Sequence, residues 1–71
     1  MWERTEITAC RILCDECGRP MRAMWEEKND ECRMRSTVFH CEHCYNDREY
    51  NRQFDENGEL ISEEVIRYFF G

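Results

Sequence analysis

The sequence predicts a small α+β domain, a three-stranded antiparallel sheet with a short C-terminal helix, that needs a staple beyond its own core. Three observations predict it. The chain has 71 residues, 41% of them hydrophobic, and domains below about 70–80 residues rarely gain more than roughly 3–5 kcal/mol from burial alone. Four of the six cysteines stand in two short pairs. Between and after those pairs the apolar residues recur with strand period, until the last ten residues, where they recur every four. Such a length makes a single domain over residues 1–71, with its centre at residues 14–54 and the helix at residues 62–70.

The elements follow in chain order. Trp2 to Leu13 has apolar residues without a clean period, so it is either an edge strand or partly loose. Cys14-Asp15-Glu16-Cys17 is the first pair, with Gly18 suited to the left-handed conformation of a tight turn and Pro20 stiffening the exit. Met21 to Glu27 alternates loosely, with Met21, Ala23 and Trp25 on one side, as in a half-buried strand. Lys28-Asn29-Asp30-Glu31 suits a turn. Cys32 to His40 alternates again and is rich enough in Thr, Val and Phe to prefer strand.

The second pair, Cys41-Glu42-His43-Cys44, lies 23 residues beyond the first. Here Tyr45 occupies the place of Gly18, so either its backbone is strained or the turn closes differently. Arg48 to Phe54 is a third strand, and Asp55-Glu56-Asn57-Gly58 a turn, since Asn and Gly tolerate positive φ. Glu59-Leu60-Ile61 pairs back briefly. From Ser62, a capping residue followed by Glu63 and Glu64, the spacing predicts a helix with Val65, Ile66, Phe69 and Phe70 on one broad face. Glu63 and Arg67 stand at i,i+4 on the other.

The paired cysteines point to a metal. The amino end, Met1-Trp2-Glu3-Arg4-Thr5-Glu6, is charged and lacks the apolar stretch of a secretory signal. A cytoplasmic location is therefore expected, where structural disulfides do not persist. Two residues between thiolates let both sulfurs approach one ion, each hook supplying half of a tetrahedron. One Zn2+ per chain at Cys14, Cys17, Cys41 and Cys44 is the expectation, with iron as the alternative metal. His40 or His43 could replace one thiolate. Cys10 and Cys32 are expected to be small buried hydrophobes with no part in the site.

The two hooks and the strands around them resemble the zinc ribbon, or rubredoxin-like, group of small metal-binding folds. The similarity covers Cys14 to about Phe54. It implies two metal-binding knuckles and a three-stranded sheet, with the metal on the same four cysteines. Members occur in polymerase subunits, elongation factors, ribosomal proteins and accessory domains of enzymes, so the resemblance implies a metal and a fold without a task. Rubredoxins have glycine at both knuckles, and Tyr45 departs from that pattern, which sets iron electron transfer behind zinc. Cys14-Asp15-Glu16-Cys17-Gly18-Arg19-Pro20 is also similar to the first hook of the DksA/TraR zinc fingers that act on RNA polymerase. Those proteins have a shorter gap between hooks and long helical arms that this sequence lacks.

Composition narrows the functions. A four-thiolate site has no open coordination position, so the metal is expected to fold the chain and not to catalyse. The expected role is an interaction or accessory module that binds another protein. Its candidate contact residues are Trp2, Trp25, Tyr50, Tyr68, Phe69 and Phe70, although Trp25, Phe69 and Phe70 also suit the sheet's own hydrophobic cover. The alternative is a nucleic-acid-binding ribbon that stacks single strands on a surface made by Arg33, Arg35, Arg48 and Arg52. Charge opposes it: the formal value is −6, four thiolates and one Zn2+ would make it −8, and phosphate would be repelled at long range. Pairing of those arginines with the abundant carboxylates is the plainer expectation. Thiol exchange wants a βαβ scaffold that has no room here. No apolar run approaches the roughly 18 residues of a membrane helix.

Overall fold

The structure, a computed structural model, describes residues 1–69, with the side chain of Phe69 outside the description. Five strands follow one another: β1 (Glu3–Thr5), β2 (Arg22–Asn29), β3 (Met34–Cys41), β4 (Asn46–Phe54) and β5 (Leu60–Phe69). They form one sheet in chain order, each antiparallel to the next. The architecture is all-β. This corrects the α+β expectation twice, for the sheet has five strands instead of three and there is no helix among the described residues. It follows that no described helix is long and apolar enough to cross a membrane.

Residues 62–69 form most of β5, where a helix was expected. The i,i+4 pattern was real but shared with period two, because Val65 and Arg67 alternate with Ile66 and Tyr68. Ten residues hold no helix alone in water, whereas β4 offers them a full ladder from Leu60 opposite Phe54 to Phe69 opposite Asn46. β-Branched and aromatic residues favour that choice. The turn before it works as read: Asp55 Oδ1 accepts the N–H groups of Asn57 and Glu59 at 2.8 and 2.9 Å, and Gly58 has φ 82°. Glu63 and Arg67, expected to pair with each other, reach Arg52 at 2.7 Å and Asp15 at 2.9 Å instead.

β3 is the middle strand, and Thr37, Val38 and Phe39 in it are all buried. By period two, Arg35, Thr37, Phe39 and Cys41 share the face that carries the core. That core is a cluster of Phe39, Met21, Cys14 and Cys41, with Ala9, Ile12, Ala23, Cys17, Cys44 and Tyr50 packed against it. Half of its four central residues are cysteines of the two pairs. The N-terminal segment covers the rest of this face through Glu26, a carboxylate only 1% exposed. It accepts the Thr8 N–H at 3.1 Å, the Thr8 hydroxyl at 3.2 Å and the Thr37 hydroxyl at 2.9 Å, with Arg35 at 3.6 Å. A buried carboxylate is tolerable only with such partners.

Two finer expectations need correction, and one open choice is resolved. Met21, Ala23 and Trp25 do not share a side, because the register shifts between Ala23 and Trp25. The shift turns Trp25 away from the core, and Arg4 lies over its ring at 5.4 Å. Cys10 and Cys32 are exposed, not buried. Cys32 falls in the turn before β3, whose shape comes from Asn29 Oδ1 accepting the N–H groups of Glu31 and Cys32 and from Arg33 at φ 54°. The open choice for the amino-terminal stretch resolves as a short edge strand, β1, followed by the covering segment.

Candidate metal centre

Both cysteine pairs sit at one end of the sheet on similar turns. Knuckle 1 is a closed loop outside the sheet, held by a bridge of Leu13 to Pro20 and by Cys14 N–H donating to the Arg19 carbonyl at 2.8 Å. Knuckle 2 is the connection from β3 to β4, with Cys41 directly opposite Asn46. Gly18 N–H donates to the Cys14 carbonyl at 2.8 Å, and Tyr45 N–H to the Cys41 carbonyl at 2.9 Å. Their φ angles, 73° and 56°, are both left-handed. Tyr45 therefore closes the same turn as Gly18, in a conformation that suits glycine better.

The result brings four sulfurs together. Those of Cys14, Cys17, Cys41 and Cys44 all lie within 4.8 Å of one another, and Cys17 and Cys41 are 3.6 Å apart. A tetrahedron with Zn–S bonds of about 2.3 Å has edges of about 3.8 Å, so the cluster needs little movement to close on one ion. The donor set is pure sulfur, which suits zinc or iron and not a hard cation. Cys14 and Cys41 are buried, Cys17 and Cys44 half-buried. Neither histidine joins the set. His40 Nδ1 lies 2.6 Å from Asp47 Oδ1, and His43 is exposed.

Electrostatics give the same picture. The Cys17 N–H aimed at the Cys14 sulfur, with the Glu16 N–H behind it, lowers that thiol to about 7 against the opposing effect of burial. Burial, then the neighbouring Cys17, Cys41 and Cys14 sulfurs, pushes Cys44 up to about 12. Cys17 receives the Arg19 N–H, which lowers it, yet burial and the Cys41 sulfur outweigh that and leave it raised. Four sulfurs so close repel one another as anions, and a cation among them removes the conflict.

Knuckle 1 is tied to the sheet through the first of the two residues between its cysteines. Asp15 contacts Arg48 on β4 and Arg67 on β5. The Arg48 guanidinium, then Arg67, holds the Asp15 carboxyl below the usual carboxylate range. Asn46, buried at the start of β4, places its side chain 4.0 Å from the Cys14 sulfur.

Of the four arginines expected to form a nucleic-acid surface, Arg35 and Arg52 stand directly opposite each other and Arg48 shares their face of the sheet, but all three are engaged by carboxylates. Arg33 is in the turn before β3, Arg35 pairs with Glu26, Arg48 with Asp15, and Arg52 with Glu63 while lying over Tyr50 at 5.2 Å. Of the candidate contact aromatics, Trp2 and Tyr68 are exposed. Trp25 is half-buried, and Tyr50 packs edge-on against Phe39 with centroids 5.6 Å apart. The Phe69 side chain and Phe70 lie outside the described residues. Arg11, Arg19 and Arg22, which are not among the expected site residues, gather at one cavity beside the knuckles. The available signal was their position, flanking the first cysteine pair on both sides. No protein-family model, curated protein or solved structure matches the chain.

Proposed function

We propose that this chain is a metal-stapled adaptor. One Zn2+ on Cys14, Cys17, Cys41 and Cys44 closes two knuckles of zinc-ribbon type at one end of a five-stranded meander, and the module acts by binding another protein. The observation that carries the reading is the coincidence of site and core. Cys14 and Cys41 are half of the central buried cluster, so whatever holds the sulfurs also holds the fold. Structural zinc contributes on the order of 10 kcal/mol, more than so small a core supplies. Four thiolates fill a tetrahedral ion, which leaves no position for water or substrate and argues against an enzyme.

The partner surface is β5. It is the ten-residue outer strand, and its Leu60, Ile61, Val65 and Tyr68 are exposed by 52, 61, 40 and 40%. A long edge with exposed apolar side chains is a template for strand addition. Single-stranded nucleic acid has less behind it, because three of the four expected arginines already face carboxylates.

Native mass spectrometry of protein from its own host tests the metal: one zinc per chain is expected, and a metal-free folded chain would refute the staple. Affinity capture with wild type and with Val65→Lys tests the surface. A protein retained by wild type and lost with the zinc-loaded variant is expected; equal retention would remove β5 from the account.

A further inference from the structure

The chain has 16 carboxylates for 10 Lys and Arg, so a cation without a carboxylate beside it is unusual here. Seven of the ten lie within 4.0 Å of one. Among the described residues Arg11, Arg19 and Arg33 form no ion pair. Arg33 faces a cavity of about 490 Å³ that Glu31, Asp55 and Glu56 also line, an acidic setting. The other two share a different cavity. Arg11 and Arg19 line, with Arg22, a space of about 540 Å³ between the exit of knuckle 1 and the tip of knuckle 2. Glu42 supplies the one carboxylate of its lining, and Arg22 already engages it at 3.3 Å. Three guanidiniums against one carboxylate leave the charged side chains of the lining two positive charges over, beside a cysteine site that would carry two negative ones when loaded with Zn2+, on a chain of net charge −6.

We propose that this cavity binds a small phosphorylated anion, with Arg11 and Arg19 holding the phosphoryl oxygens and Arg22 and His43 at the rim. A phosphate monoester carries nearly two negative charges and three acceptor oxygens at neutral pH. It matches the surplus, whereas a single carboxylate leaves one charge over. Guanidinium forks suit such oxygens better than ammonium groups do. The volume falls in the range of about 300–1,000 Å³ usual for small ligands. A strand of nucleic acid needs a basic track beyond the cavity, and Arg48 and Arg67, on β4 and β5, are committed to Asp15. A competing role for these arginines is to balance sulfur charge, since Cys41 also lines the space.

The site depends on both knuckles being closed and not on which metal closes them, so metal content is measured on every sample. Inorganic phosphate and ribose 5-phosphate are titrated into the metal-loaded full chain at fixed ionic strength and followed by amide chemical shifts. Saturable shifts at Arg11, Arg19, Met21, Arg22 and His43 are expected. They should weaken at least tenfold in Arg11→Gln/Arg19→Gln, with unchanged metal content and an otherwise unchanged spectrum, and persist in Arg33→Gln. Shifts that do not saturate, or that survive the double variant, overturn the proposal. So does loss of metal from the double variant, which assigns the arginines to charge balance. So does a single-stranded oligonucleotide that binds through the same residues much more tightly than either phosphate.

Discussion

In knuckle 1 the residue after the second cysteine is Gly18, and in knuckle 2 it is Tyr45, yet both adopt positive φ and both donate to the carbonyl four residues back. The difference lies in what surrounds each turn. Knuckle 2 is a hairpin connection whose ends are fixed by the pairing of Cys41 with Asn46 and of His40 with Asp47. Strand registry there imposes a conformation that a non-glycine residue pays for locally, on the order of 1–2 kcal/mol. Knuckle 1 has only an isolated bridge behind it, so it relies on an unstrained glycine and on the Asp15 contacts. One turn geometry is thus enforced by a sheet in one place and by a residue type plus tethers in the other.

The largest effect that can break this comparison is removal of the ion. A strong chelator, or Cys14→Ser, is expected to abolish the cooperative melt, because the sulfurs are central to the core. Surviving amide protection should lie in the β3–β4–β5 ladder, while Cys14, Gly18 and Met21 N–H groups, all bonded within knuckle 1, exchange freely. Hydrogen exchange measures this. Equal protection in the two knuckles would show that they do not differ as argued, and an unchanged melt would show that the ion does not staple the chain.

Proton release sharpens the same point. With Cys44 raised to about 12 and Cys17 also raised, both are protonated at neutral pH in the metal-free site, while Cys14 at about 7 is already partly ionised. Metal must displace those protons. Affinity therefore falls as pH falls, and more steeply than one proton per ion would produce. Titration calorimetry at pH 7.5 in buffers of different ionisation enthalpy should find at least two protons released per zinc.

A smaller effect is expected from the tether. Arg48 is nearly buried, whereas Arg67 and Asp15 are about half-exposed. Losing Arg48 leaves the knuckle with one solvent-screened contact, and losing Arg67 leaves the better one. Arg48→Met should speed exchange of the Gly18 amide on the order of tenfold, and Arg67→Ala about twofold or less. Equal effects would mean that Asp15 does not anchor knuckle 1 through β4.

The four clustered cysteines are legible in the sequence because C-x2-C pairs fix their own local geometry. The strands of residues 21–54 were legible for a similar reason, since period two and turn residues are local signals. What escaped were matters settled at a distance. Val65, Ile66 and Phe69 satisfy both a helical and an extended pattern, and only the free edge of β4 decides between them. The bulge after Ala23 leaves no mark in a loosely alternating stretch. Burial of Glu26 depends on Thr8, 18 residues away, and no composition rule anticipates a carboxylate at the centre of a small sheet. The cavity arginines escaped because three residues flanking a hook look like ordinary surface until the second hook is brought beside them.

The finest test exchanges the residue types of the two turns. Gly18→Ala places a Cβ at φ 73° where no atom lies within 4 Å, so any cost is conformational and not steric crowding by neighbours. It should destabilise the metal-loaded protein by about 1 kcal/mol. Tyr45→Gly removes the strain of φ 56° but gives the unfolded chain more freedom, worth roughly 0.5–1 kcal/mol in the opposite sense. Its net effect should lie between neutral and about 1 kcal/mol stabilising, the sheet holding the turn either way. Paired thermal melts at fixed zinc concentration read both signs. If Gly18→Ala costs nothing, knuckle 1 does not need its glycine; if Tyr45→Gly destabilises by more than about 1 kcal/mol, the Tyr45 ring, 6.3 Å from His40, matters more to knuckle 2 than its backbone strain.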